Sequence, residues 1–513
     1  MKNVLLLLTV AFSLNINAQQ KTLDENNLKV AVSNNSDSAF QFGIKNHKIK
    51  NGGDSMLLYG MNLWMGGVVD KELRFSGGLY GQLGLDFLSG PLDINTAQTD
   101  SNRVKKYKKV WEISKAEIEI FLDNGIVSQN MKDWPAGSNR SQISGNESPS
   151  MAPFVDVNND NLYEPTKGDY PKMKGDKMLW WVYNDRGVNR ETKGKSIGVE
   201  IAVSAYQYYC DSFQKNSVNA VINNTTFYDY KIVYRGTETL TDFRIGLFSD
   251  LEIGKFNDDL AACDSNLNVS YGYNNLNRNG GKQIGNVLYL GGVVNNKGKS
   301  LDLSSNITFN NNADFVQGNP KTDNEYYNYL RGNFRNGTQP NSKFFGHQDT
   351  LKQDSGLSFD KRRVMSCGPL TLLPGSVHFF NAAVFQTSDQ GSFAKTEKLN
   401  KARLLALQKY YDKDSLPRCG QYALSTQDIE DIEKKVIVFP NPSNGNFSIK
   451  WDLMNVEVKN VSILNNIGKE VYSQEKFQGT NQINLKNMYL TSGLYFVNVN
   501  TNNGVITKKV IVK

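Results

Sequence analysis

The sequence predicts a mainly β protein: a multi-domain, β-sandwich-like body with a few short helices, followed by a small C-terminal immunoglobulin-like β-sandwich. Three observations carry this prediction. Aromatic residues make up 11% of the chain, with 24 Tyr and 26 Phe, and flat rings sit well on pleated surfaces. Tyr, Val and Ile alternate with polar residues in stretches such as "GVEIAVSAYQYYC" (198–210) and "TTFYDYKIVYRG" (225–236), the period of a half-buried strand. Asn, Asp, Gly and Ser crowd the gaps between apolar runs, as turns require.

The 513 residues are too many for one ordinary core, and they lead us to expect two to four domains. Hydrophobic residues at 39% and charged residues at 21% give a globular balance. The net charge of +7 is mild and spread along the chain. Its one dense run, "RVKKYKK" (Arg103 to Lys109), reads as a solvated face, with an acidic glycan or nucleic acid as the other reading; no nucleic-acid partner is expected.

The first residues, "MKNVLLLLTVAFSLNINAQQ", read as a secretory signal over residues 1–18. Lys2 supplies the positive start, Val4 to Leu14 is too short to span a bilayer, and cleavage between Ala18 and Gln19 is expected. No other run is long and apolar enough for an integral span. Behind an export signal, Cys210, Cys263, Cys367 and Cys419, which lack a zinc spacing, predict two disulfides in any of three pairings, with one or both pairs staying as buried thiols as the competing reading.

An N-terminal β region is expected over 19–130. It includes a short helix at "SKAEIEIFLDNG", capped by Ser114 with Glu117 completing a capping box and Gly125 ending it. A β-rich central body with acidic, turn-rich loops follows over 131–424. Residues 295–360 read as a long excursion of surface loops or a partly ordered insertion. "KTEKLNKARLLALQKYY" has helical spacing, with Leu399, Ala402, Ala406 and Tyr410 on one face. Residues 425–435 read as a linker.

The remainder, 436–513, reads as a self-contained unit of about seven strands. Phe447 and Ile449 alternate with Ser448 and Lys450, and Tyr495, Val497 and Val499 with Phe496 and Asn498. The ordered set "PNPSNGNFSI", "VSILNNIGKEV", "TSGLYFVNV" and "KKVIVK" resembles the type A C-terminal sorting domain of type IX secretion. The resemblance implies passage through the periplasm, recognition by the type IX secretion machinery, and then release or attachment to surface lipopolysaccharide. The body, in "APFVDVNNDNLYEPTKGDYP" and "SDLEIGKFNDDLAACDSNLNVSYGYN" among other stretches, resembles large exported proteins that carry the same sorting domain. That likeness implies extracellular residence and no particular reaction. Where such proteins tend to read Ser-Gly-Pro, this chain has Cys367-Gly368-Pro369.

Two acidic stretches are candidate Ca²⁺ ligands. In "DVNNDNLYEPTKGD", Asp156, Asn158 and Asp160 alternate along a turn, with the Leu162 carbonyl, Glu164 and Asp169 completing the oxygen set a hard cation needs. Position six is Asn161 and position twelve is Lys167, so the loop departs from an EF-hand. A plain turn, held by side-chain to backbone bonds, is the competing reading. The second stretch offers Asp250, Glu252, Asp258, Asp259 and Asp264 as a cation site, a turn-capping loop or, less directly, a glycosidase acid–base pair. His47, His347 and His378 have no zinc spacing, there is no G-x-S-x-G elbow, and "GGDSM" reads as a turn. Ser38, Ser55, Thr350 and Ser415 follow Asp in short motifs similar to O-glycosylation sites. The expected function is structural, adhesive or binding, non-catalytic, at the cell surface or in the medium; the alternative is a secreted hydrolase acting on glycans or peptides.

Overall fold

The computed structural model of the protein describes residues 20–34, 44–50, 55–81, 83–136, 146–148, 151–210, 217–254, 256–274, 283–294, 300–344, 360–389, 392–416, 436–451, 458–465, 469–475, 477, 481–486, 488, 490–501 and 504–513. The expected signal peptide, Ala18, Gln19, Ser38, Thr350 and Cys419 lie outside these residues. The chain divides into two compact units, Met1–Gly420 and Gln421–Lys513.

The larger unit is built on two antiparallel sheets of eight and nine strands. In the first, the long strand Ser55–Val69 pairs with Leu240–Leu251, which pairs in turn with Lys361–Leu372. These pairings run straight across the boundary expected at residue 130. In the second sheet, Lys177–Asn184, Val199–Gln207, Thr225–Tyr234 and Val377–Ser388 lie side by side. Strand alternation makes the architecture. Along Leu240–Leu251, Ile245, Leu247 and Leu251 join a core shared with Val199, Ile201, Tyr230, Ile232 and Val384 of the second sheet. The two sheets are therefore stacked as a sandwich.

The other face of the first sheet is also apolar and carries its own cluster. Trp64 stacks on Phe248 with ring centres 5.4 Å apart and meets Tyr326 edge-on at 4.7 Å. Tyr326 belongs to the helix Asp323–Leu330, which buries Tyr326, Tyr327, Tyr329 and Leu330 against this face. The helix and the strand Ser305–Asn310 lie inside the stretch expected to be surface loops or a partly ordered insertion. Tyrosines at 326, 327 and 329 crossed with Asn and Gly hid their helical face behind a loop-like composition.

Two helices were legible from local chemistry. Ser114 caps Lys115–Asn124 in a capping box with Glu117, and Gly125 ends it at φ 69°. Phe393–Asp412 forms as expected, but its buried face is Thr396, Asn400, Arg403, Leu404, Leu407 and Tyr410, rotated from the one the apolar residues indicated. Polar partners set the rotation: Asn400 and Asn286 exchange amide hydrogen bonds at 2.9 Å, and Arg403 donates to the Ser217 carbonyl.

The cysteines correct another expectation. Cys263 and Cys367 are buried and not disulfide-bonded. Each lies on a strand of a different sheet and faces a backbone carbonyl, Phe344 for Cys263 and Leu301 for Cys367. The basic run forms the helix Ser101–Tyr107, and its Arg103 is turned inward against Asp93 and Glu147.

Among the described residues the smaller unit has seven strands, in sheets of three and four, where about seven were expected. Phe447, Ile449, Val461, Ile463, Tyr495, Val497 and Val499 are buried in its core, the faces that the alternation named. Among the described residues no helix is long and apolar enough to cross a membrane.

Candidate functional site

A cleft of about 1130 Å³ opens on the helix-bearing face of the first sheet. Its floor comes from two neighbouring strands. Ser249 pairs with Arg363, and just beyond that pair Asp250 and Glu252 on one side and Arg362 and Asp360 on the other come together at the strand ends. Carboxylate oxygens of Asp250, Glu252 and Asp360 all lie within 4.8 Å of one another.

Each neighbour holds part of this group in place. The Tyr80 hydroxyl donates to Asp250 Oδ2, and the Arg362 guanidinium lies over the Tyr80 ring at 4.8 Å. Arg362 Nε is 3.7 Å from Asp250 Oδ2, and its Nη2 is 3.7 Å from Asp360 Oδ2. Arg362 Nη1 donates to Asn311 Oδ1 at 2.6 Å and Asn319 Oδ1 at 3.1 Å. Asn311 Nδ2 donates to Asp360 Oδ2 at 2.6 Å. Asp250 and Asp360 thus each commit one oxygen; Oδ1 of each is shielded from solvent and accepts no hydrogen bond.

The wall carrying Tyr80 is the glycine-rich stretch Gly77 to Gly81. Glu191 fixes it, accepting from the amides of Leu79 and Gly81 at 2.8 Å each and from the Tyr326 hydroxyl at 2.9 Å. Gly81 takes a positive φ of 72°, which glycine adopts without a steric cost. Around the rim stand the exposed side chains of Tyr59, Leu83 and Phe256, with Asn257, Asn312 and Lys321.

Burial, and then the negative charge of Asp250 and Asp360, holds the Glu252 carboxyl up at about 8. Burial raises Asp250 to about 6, against the opposing pull of Arg362. Between the sheets, burial raises Asp259 to about 8, with fully buried Arg363 its main opposing charge.

The second acidic stretch is therefore split. Asp250 and Glu252 reach the cleft; Asp259 turns into the interior and accepts from the Ile253 amide at 3.2 Å; Asp258 is buried. Asp264 caps a turn through the Asn266 and Leu267 amides. Asp360 was missed. It stands 110 positions after Asp250 with no motif around it, and only strand pairing brings it close.

The first acidic stretch forms a tight loop on its own. Asp156 accepts from the Asp160 and Asn161 amides, Asn158 from the Asp160 amide, and Asp160 from the Leu162 amide. Asp169 is buried and spans the loop, accepting from the Val157 and Glu164 amides at 3.0 and 2.8 Å. Glu164 pairs with Lys167 at 2.6 Å. Of the glycosylation candidates, Ser55 is exposed. Ser415 is fully buried with its hydroxyl on the Tyr410 carbonyl, where a sugar has no room.

Residues 437–513 match the family described as the secretion system C-terminal sorting domain. The chain carries a type IX secretion sorting domain. Its seven strands and alternating core are that domain, and the protein is accordingly exported, secreted or held at the cell surface. No curated protein matches the sequence. Among solved structures, a polysaccharide lyase is similar at 10% identity, covering 95% of this chain and 46% of its own length, with a TM-score of 0.26. A putative aldose 1-epimerase from Escherichia coli K12 follows at 9%, covering 72% of this chain and 99% of that one, TM-score 0.26. Heparan sulfate lyase HepC from Pedobacter heparinus stands at 10%, 73% and 36%, TM-score 0.23. This chain spans less than half the length of either lyase. At these scores the likenesses carry no functional argument.

Proposed function

We propose that the body is a non-catalytic binding module displayed outside the cell, and that its cleft takes a polyhydroxylated ligand of the carbohydrate class. The observation that carries this reading is the composition of the cleft. Exposed Tyr59 and Phe256 offer apolar ring faces beside a floor of carboxylates and carboxamides. Sugars present that same pairing, a C–H face that stacks on rings and hydroxyls that bond to fixed polar groups. The sorting domain delivers the module to where glycans are.

The test is binding of the purified chain to an immobilised glycan panel, followed by titration of the best ligand. Phe256→Ala and Tyr59→Ala, both at the solvent-facing rim, are expected to weaken binding about tenfold or more without changing the melting temperature. Unchanged affinity in both variants would remove the proposal.

One observation favours a second reading, a secreted hydrolase. Carboxyls held up at about 6 and about 8 in one cleft are the kind a general acid needs near neutral pH. Turnover of a glycan or peptide by the wild type, abolished in Asp250→Asn, would establish that reading over the first.

A further inference from the structure

Three carboxylates and one guanidinium share the cleft floor, an imbalance of charge. Asp250 lies beside Arg362, an opposite-charge pair. Glu252 and Asp360 bring carboxylate oxygens within 4.8 Å of each other, and like charges that close repel. Two oxygens, Asp250 Oδ1 and Asp360 Oδ1, are shielded from solvent and accept no hydrogen bond. Asp250 itself is 1% exposed. A buried acceptor left unpaired costs free energy, and here two of them stand in one group with Glu252, to which no side chain donates among the described residues. Tyr80, Asn311 and Arg362 occupy the other oxygens and so aim the bare ones.

We propose that Asp250, Glu252 and Asp360 hold one hard divalent cation of the calcium class at the floor of the cleft. The donor set is oxygen only, which excludes the softer thiolate and imidazole metals by chemistry. Three carboxylates supply three to six oxygens, and the open side of the cleft leaves the remaining positions to water or a ligand hydroxyl, as calcium's flexible geometry permits. Arg362 offsets one negative charge, so the site keeps a net attraction for a divalent ion while its dissociation constant falls in the weak extracellular range, on the order of 10⁻⁴ to 10⁻³ M. This site is separate from the Asp156 loop, whose oxygens are engaged by backbone amides. It stands whether or not the cleft binds a sugar.

The experiment uses the full exported chain, stripped with chelator, and titrates calcium chloride by calorimetry and terbium by luminescence excited through tyrosine. Wild type is expected to bind calcium and to sensitise terbium through Tyr80. Glu252→Gln, which breaks no side-chain hydrogen bond among the described residues, and Asp360→Asn are each expected to weaken calcium about tenfold or more at one site. Tyr80→Phe is expected to lower the terbium emission while calcium binding persists. Asp160→Ala reports the loop separately and is expected to leave the Tyr80-dependent emission in place. No calcium binding at about 10 mM, well above the extracellular range, would overturn the proposal. So would affinity unchanged in both Glu252→Gln and Asp360→Asn, or a preference for magnesium.

Discussion

The Tyr80 hydroxyl donates its hydrogen bond to Asp250, although the two residues are 170 positions apart. One sits in a glycine-rich turn and the other on a central strand of the first sheet. The bond joins the wall of the cleft to its floor, and it uses the one Asp250 oxygen that is not bare.

Removing it has a defined cost. Tyr80→Phe leaves a buried carboxylate oxygen without its donor, which destabilises a folded protein by about 1–3 kcal/mol. A lower denaturant midpoint for the body is the expected result, measured by intrinsic fluorescence of the full chain. A midpoint equal to wild type would mean that solvent reaches Asp250.

His47 predicts an acid-sensitive step. It is fully buried, its Nε2 lies 2.7 Å from the Tyr228 hydroxyl, and burial pushes its pKa down to about 3. In the unfolded chain His47 takes a proton below its ordinary value near 6.5, while in the folded chain it stays neutral to about pH 3. The unfolded state therefore binds more protons in that window, and stability falls as pH drops from 6.5 toward 3. The loss approaches 1.4 kcal/mol per pH unit. His378 is held down by burial too and adds in the same direction. His47→Gln should flatten the wild-type slope by about 1 kcal/mol between pH 6 and pH 5, read from urea midpoints; parallel slopes would count against this account.

Thiol chemistry gives a third check. Cys263 and Cys367 are not disulfide-bonded, which leaves Cys210 and Cys419 as the two cysteines able to pair within the chain. Burial pushes the Cys367 thiol up to about 12, so it does not react while folded. Titration under denaturing, non-reducing conditions should find two thiols. Finding none would restore the two-disulfide expectation, and finding four would remove disulfides altogether.

The sorting domain sets the fourth. Deleting Val436 to Lys513 is expected to leave the body in the periplasm, and Val497→Asp to do the same. Val497 is fully buried in the core of the domain, where an unpaired charge is not tolerated. Cell fractionation decides it: truncated chain at normal levels on the surface or in the medium would contradict the assignment of export to this domain.

The sequence by itself determined the elements whose cause is local. The alternation at Phe447, Ile449, Val497 and Val499 named a buried face because side-chain direction along a strand follows a period of two, whatever the strand packs on. The capping of Lys115–Asn124 was legible for the same reason, since Ser114, Glu117 and Gly125 act within one turn of their own helix ends. Asp250 and Glu252 were recognisable as candidates because they belong to one acidic stretch. The third carboxylate was not. Asp360 and Arg362 come beside Asp250 and Glu252 only because Leu240–Leu251 pairs with Lys361–Leu372. Register is chosen by the whole buried face of both strands. The inward rotation of Asn400 and Arg403 and the burial of Ser415 likewise depend on partners far along the chain. Tertiary structure decided these because strand pairing and burial are set by contacts between segments, which no local spacing encodes.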